Sequence, residues 1–249
     1  MKDLLRTEHL SRADVELLLD TAADFASKPL RSNTALSNKT VAIYMTKPST
    51  RTRLASETAV AHLGGTPIFI RGDDLQLGRG ESANDTARVL GRYVHGVVIR
   101  AHSHSEVEEF AAACDVPVIN ALTDLYHPCQ LLADLQTIRE YAGRLEGVKV
   151  AYLGDGANNM SRSWAKAAAL AGIELRIGAP DIYQLDDETL GSLKGPGRVI
   201  TTTDPGEAVS GADFIYTDVW VSMGFEEEAE ERLKVLAPYQ VNAKLMGHA

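Results

Sequence analysis

The chain has 249 residues, 45% hydrophobic and 24% charged, a globular composition with length for one large domain or two of ordinary size. Its formal net charge of −9 argues against nucleic acid as a partner, and no apolar run approaches the ~20 residues of a membrane span. Residues 1–6 lack a signal-peptide core and the two cysteines, Cys114 and Cys129, make no disulfide framework, so a cytoplasmic protein is expected.

Ser11 is expected to cap a helix running to about Ala26, with Val15, Leu18, Leu19 and Ala22 as its inner face. The apolar run 41–45 reads as a strand. The turn Lys47-Pro48-Ser49-Thr50-Arg51-Thr52-Arg53 leads from it into a helix stopped by Gly64-Gly65, with Leu54, Thr58, Ala61 and His62 on one face. A strand at 67–70 follows, then a polar, Gly-rich loop from Arg71 to Glu81 that contains Gln76. Its make-up suits either a functional loop or a solvent-facing one. Ser82, with Asp85 three residues on, starts a helix to about Tyr93. A buried strand at 96–99 ends at Arg100. Ser105 and Glu108 are expected to open the next helix, and 117–120 is the next strand. His127-Pro128-Cys129-Gln130 leads into a helix to about Tyr141 that buries Leu131, Leu132, Leu135 and Ile138.

Residues 143–147 read as a linker. A second set follows: a strand at 148–153, the turn Gly154-Asp155-Gly156-Ala157-Asn158-Asn159-Met160, and an alanine-rich helix to Gly172. Then come a strand at 175–177, a helix near 186–193, a short strand near 198–202 and a strand at 214–217. The last leads into Asp218-Val219-Trp220-Val221-Ser222-Met223-Gly224. The acidic run from Glu226 to Glu231 reads as a solvated helix face. Strands alternating with helices predict an α/β protein of two doubly wound parallel-sheet domains, 1–142 and 148–249.

In parallel α/β sheets ligands bind beyond the C-terminal ends of strands, and every polar cluster of this chain falls at such an end. The two sheets are expected to face one cleft. At 47–53, Pro48 stiffens the turn and Ser49 suits an N-cap. Free N–H groups, threonine hydroxyls and two arginines then share one helical turn, a ready phosphate site; the bland alternative is a capped helix with solvated arginines. Arg100 suits an anion contact or a surface ion pair. Pro128 fits the first helical position, so His127 sits at the positive end of a helix dipole and is expected to be a neutral hydrogen-bond donor. No base–orienter pair marks Cys129 as a nucleophile; it reads as a small apolar filler. Gly154-Asp155-Gly156 lacks the third glycine of a dinucleotide fingerprint, and bulky amides follow it. Asn158 suits an α-carboxylate or an α-amine, and Asp218 an ammonium partner or a helix cap.

Ser-Thr-Arg-Thr-Arg at 49–53, followed in order by His-Pro-Cys-Gln, Gly-Asp-Gly-x-Asn-Asn-Met and Asp-x-x-x-Ser-Met-Gly, resembles the aspartate/ornithine carbamoyltransferases. The last element resembles their ornithine branch. The resemblance implies carbamoyl transfer from carbamoyl phosphate to the side-chain amine of ornithine, with no metal or redox cofactor. It places carbamoyl phosphate on Ser49, Thr50, Arg51, Thr52, Arg100, His127 and Gln130, with Gln76 reaching the site of a neighbouring subunit in a homotrimer. Ornithine falls on Asn158, Asp218, Ser222 and Met223, and Arg100, His127 and Asp218 carry the catalytic roles. A related amine acceptor (putrescine or an acylated ornithine) and a non-catalytic anion-binding subunit are the alternatives. Family members continue past a position like Ala249 into a His-Cys-Leu-Pro loop and a final helix, so the resemblance implies weak turnover for the 249-residue chain.

Overall fold

A computed structural model of the chain describes residues 2–28, 33–74, 81–221 and 226–249. Gln76, Ser222 and Met223 lie outside the described residues. The chain divides into two compact units, Met1–Leu132 and Ala133–Ala249.

The first unit holds a four-stranded parallel sheet in the order β2-β1-β3-β4. Its strands are β1 (Thr40–Met45), β2 (Thr66–Arg71), β3 (Gly96–Arg100) and β4 (Val118–Leu122). Helices α1 (Arg12–Ser27), α2 (Thr50–His62), α3 (Ala83–Tyr93) and α4 (His104–Ala113) flank it, and α5 (Pro128–Ala142) begins in it. Val41 through Met45 are buried at successive positions, which requires cover on both faces of the sheet. Ala42, Tyr44, Val97, Ile99 and Val118 share a core with Val107 and Phe110 of α4.

The second unit repeats the scheme with the order β7-β6-β5-β8, again all parallel. The strands are β5 (Lys149–Leu153), β6 (Glu174–Gly178), β7 (Arg198–Thr202) and β8 (Phe214–Thr217). The helices are α6 (Asn159–Ala171), α7 (Asp187–Gly191), α8 (Pro205–Val209), α9 (Ala229–Leu236) and α10 (Ala243–Met246). Helix α6 is buried almost all round, from Met160 to Ala171, and its alanines let neighbouring backbone approach closely.

Capping set several boundaries. Ser11, Ser49 and Ser82 cap α1, α2 and α3, each accepting from the N–H three residues on. Helix α4 instead starts at Ser103, which accepts from Glu106, not at Ser105. The inner faces also differ from expectation. In α1, Val15 and Leu19 are buried, whereas Leu18 and Ala22 are exposed. In α2 the cap at Ser49 turns Val60 inward, with Thr52, Ser56 and Leu63 half-buried beside it. Leu54, Thr58, Ala61 and His62 all face outward, Leu54 being 57% exposed. A stripe of Thr, Ala and His carries little apolar area, so it does not dictate the phase of a helix. The single-turn helices α8 and α10 are too short to leave a periodic signal.

Candidate active site

The anion end is built at the switch point of the first sheet. From β1 the chain steps to β2 on one side and later to β3 on the other, and the loops after β1 and β3 therefore diverge. Met45 and Arg100 are register partners, and the Thr46 N–H donates to the Arg100 carbonyl at 3.0 Å. This brings the start of α2 against the end of β3. The Ser49 side chain accepts from the Thr52 N–H and its hydroxyl donates to Thr52 Oγ1 at 3.0 Å. The Arg100 guanidinium donates to the same Thr52 Oγ1 at 3.2 Å. Between β3 and β4 the register slips, pairing Ile99 with Asn120 but Arg100 with Leu122, a bulge that re-aims the strand ends at the site.

Arg100 is buried, and its Nε has no hydrogen-bond partner among the described residues. Burial and then the charge of Arg51 hold its pKa below the usual arginine range. No carboxylate pairs with either guanidinium among the described residues. A buried guanidinium close enough to feel the charge of exposed Arg51 is an arrangement that an anion would relieve. Arg53, the second arginine of the turn, does something else. It pairs with Glu57 at 3.0 Å and lies 3.8 Å over the Phe69 ring. The arginine whose charge reaches Arg100 of β3 is thus Arg51 of α2, whereas Arg53 is tied to Glu57 and Phe69.

His127 precedes Pro128, the first residue of α5, and its carbonyl accepts from the Gln130 N–H at 3.1 Å. Gln130 thus lies in the first turn of that helix. Burial, then the Arg100 charge, lowers the His127 pKa to about 4, so the ring is neutral. Neutrality was expected from the helix dipole; desolvation and a neighbouring guanidinium produce it. The turn before His127 is held from below. Arg6 Nε donates to Nε2 of buried His104 at 3.1 Å, which leaves the proton on Nδ1, facing Thr123 Oγ1 at 3.0 Å. Thr123 in turn bonds both the N–H and the carbonyl of Tyr126. Arg6, His104 and Thr123 carry no local sequence signal, because the contacts that unite them span 98 and 19 positions. Cys129 is an apolar filler as expected: burial pushes its thiol up to about 11.

The second unit has its switch point between β5 and β8. Asn158 follows β5 and Asp218 follows β8, on adjacent strands whose ends, Leu153 and Thr217, are register partners. Asn158 caps α6: its Oδ1 accepts from the Ser161 N–H at 2.9 Å and from the Tyr152 hydroxyl at 3.1 Å. Its Nδ2 is buried with no partner among the described residues. Asp218 accepts from the Val219 N–H at 2.8 Å and has no cationic partner among the described residues. Burial raises its pKa, and the nearby Asp155 charge adds to the rise. Asp155 is itself neutralised by Arg232 at 2.8 Å, both side chains being 7% exposed. Arg232 also pairs with Glu228 at 2.9 Å and lies over the Tyr183 ring at 4.8 Å.

The glycines of the 154–156 turn serve packing rather than phosphate. Gly154 has φ +124°, and a Cβ there would lie 3.3 Å from Trp220 Nε1. At Gly156 a Cβ would come within 2.7 Å of the Tyr183 carbonyl oxygen. A surface depression of about 310 Å³ lies elsewhere, bordered by Pro205, Gln240, Lys244 and His248, and contains none of the site residues. Among the described residues, no three His, Cys, Asp or Glu side chains are grouped to hold a metal, and no helix is long and apolar enough to cross a membrane.

Two family models match in succession. Residues 2–140 match the aspartate/ornithine carbamoyltransferase carbamoyl-P binding domain, and residues 146–249 match the Asp/Orn binding domain. The chain belongs to the aspartate/ornithine carbamoyltransferase family. Within it, the ornithine carbamoyltransferase of Bacillus subtilis is 48% identical over 253 residues, covering 100% of this chain and 78% of that protein. That of Methanocaldococcus jannaschii is 44% identical, covering 99% of this chain and 82% of the relative. The solved ornithine carbamoyltransferase of Pyrococcus furiosus superposes with a TM-score of 0.94 at 44% identity, covering 100% of this chain and 81% of that one. The two parallel sheets with flanking helices are thus a carbamoyltransferase fold, and the aspartate/ornithine family is matched along both units.

Proposed function

We propose that this chain transfers a carbamoyl group from carbamoyl phosphate to the side-chain amine of L-ornithine, giving citrulline and phosphate in cytoplasmic arginine metabolism. The observation that carries the reading is the Arg51–Arg100 pair, uncompensated by any carboxylate among the described residues and set at the capped N-terminus of α2.

In this reading the residues up to about 142 serve carbamoyl phosphate and those from about 148 serve ornithine. The α2 N-terminus, Ser49, Thr50 and Arg51 hold the phosphate. Arg100, Thr52 and neutral His127 donate to the carbonyl oxygen, with Gln130 binding the carbamoyl end. The neutral amine nitrogen attacks the carbonyl carbon and negative charge collects on that oxygen. The intermediate then collapses, the carbon–oxygen bond to phosphate breaks, and the amine proton leaves with the phosphate. Donors already aimed at the developing charge are worth about 10²–10³ each in rate. Asp218 orients ornithine through an ammonium group, with Asn158, Ser222 and Met223 completing its contacts.

Citrulline formation by the purified chain tests the reading. Turnover of putrescine or an acylated ornithine instead would favour a related amine acceptor. Tight carbamoyl-phosphate binding with no transfer to any amine would favour a non-catalytic subunit.

A homotrimer in which Gln76 completes a neighbour's site belongs to the same proposal. The outward face of α2, with Leu54 57% exposed beside Thr58 and Ala61, supports a partner subunit there. Gln76→Ala and Arg51→Ala proteins, each impaired alone, should recover activity when mixed as dissociated subunits. A mixture no more active than its parts would count against shared sites.

A further inference from the structure

An amide offers a donor and an acceptor, so Asn158 by itself could meet either end of an amino acid. Its surroundings remove the choice. The Ser161 N–H can only donate, which identifies the atom facing it as Oδ1. The Tyr152 hydroxyl takes the second lone pair of that oxygen at 3.1 Å. Only Nδ2 is left to offer, and it is a buried donor with no acceptor among the described residues.

Tyr152 is itself immobilised. It is fully buried in β5, its ring stacks on Tyr216 with centroids 5.6 Å apart, and Trp164 meets Tyr216 edge-on at 5.2 Å. Burial keeps its hydroxyl protonated, so it donates to Asn158 throughout the working pH range.

We propose that Tyr152 is a positioning residue that fixes Asn158 as a hydrogen-bond donor and thereby makes the second unit select an α-amino acid with a free carboxylate over the corresponding diamine. The inference rests on the ornithine reading above and adds its selectivity. A carboxylate is an acceptor only, so it satisfies Nδ2. The corresponding diamine has only a hydrogen at that position and leaves Nδ2 buried and unmet, which is how a polar site rejects an analogue lacking the matching group. Asp218, with its raised pKa and no cationic partner among the described residues, supplies the complementary contact for an ammonium group.

The test compares ornithine with putrescine, which differs by the absent carboxylate, in transfer kinetics and in binding calorimetry. Tyr152→Phe keeps the stacked ring and removes the hydroxyl. It should raise the KM for ornithine about three- to tenfold with kcat little changed, and lower the ornithine-to-putrescine preference by a similar factor. Asn158→Asp keeps an acceptor for the Ser161 N–H and the Tyr152 hydroxyl but replaces the donor, and should reduce that preference further. An unchanged preference in Tyr152→Phe overturns the inference. An equal loss for both amines also overturns it, since that marks a merely structural tyrosine. A parent protein that neither binds nor carbamoylates ornithine overturns the functional reading instead, a result visible before either variant is made.

Discussion

The two units share one plan, but the charged groups beyond their strand ends are opposite in sign. Each is a four-stranded parallel sheet whose order reverses at an inner strand pair, and in each the polar residues follow the two strands flanking the reversal. The first unit leaves two arginines near one another without a carboxylate among the described residues. The second places two carboxylates near one another, neutralises Asp155 with Arg232, and leaves Asp218 without a cation among the described residues. A common backbone scheme therefore supplies the location of a site, while the few side chains beyond the strands supply its sign. In the proposed reading an anion would complete the first, and an ammonium group with a carboxylate the second.

The sharpest way to break this contrast is to unbalance the second unit. Arg232→Met leaves Asp155 buried, unpaired and beside Asp218. Breaking one side of a buried ion pair is worth about 3–5 kcal/mol, so a large fall in the unfolding midpoint of the second unit is expected, with carbamoyl-phosphate binding by the first retained. A change below about 1 kcal/mol in denaturant titration would mean the pair is not holding the 154–157 turn.

The next effect is a pH dependence belonging to the first unit. His127 binds its proton less well in the folded chain, at about 4, than an unfolded histidine does near 6.5. The stability it represents is fully present above about pH 6.5 and is lost as pH falls through about 4, amounting to about 3 kcal/mol or slightly more. His127→Gln should flatten the stability profile across that window. Buried His104, also lowered chiefly by desolvation, leaves a residual slope. A profile identical to the parent's would show that His127 is not desolvated.

Arg51→Ala should weaken carbamoyl-phosphate binding by about 1.5–3 kcal/mol, read by calorimetry, because it removes a charge-assisted contact. Unchanged affinity would place the anion elsewhere. The smallest effect sharpens the comparison within a single helical turn. Arg53→Ala loses one exposed ion pair and one ring contact, together about 1 kcal/mol of stability, and should leave phosphate affinity as it was. A fall matching that of Arg51→Ala would mean the ring-stacked conformation of Arg53 is not the one that meets ligand.

Sequence alone determined much of the architecture. Strand runs buried on both faces, serine caps at Ser11, Ser49 and Ser82, and glycine stops are local signals, because backbone hydrogen bonding and chain entropy act over a few residues. The motifs placed the turn at 49–53, His127, Asn158 and Asp218 after strand ends for the same reason. Tertiary structure decided which of these groups act together. The arginine whose charge reaches Arg100 is Arg51, through the β1–β3 pairing, while Arg53 packs on Phe69. The inner face of α2 followed its cap rather than its weak apolar stripe. The donor sense of Asn158 depends on a tyrosine in β5 and a helix N–H, and the neutrality of His127 on burial beside an arginine 27 positions earlier in the chain. Electrostatics and side-chain orientation depend on distance in space, and a parallel sheet joined by crossover helices puts residues adjacent in space far apart in sequence.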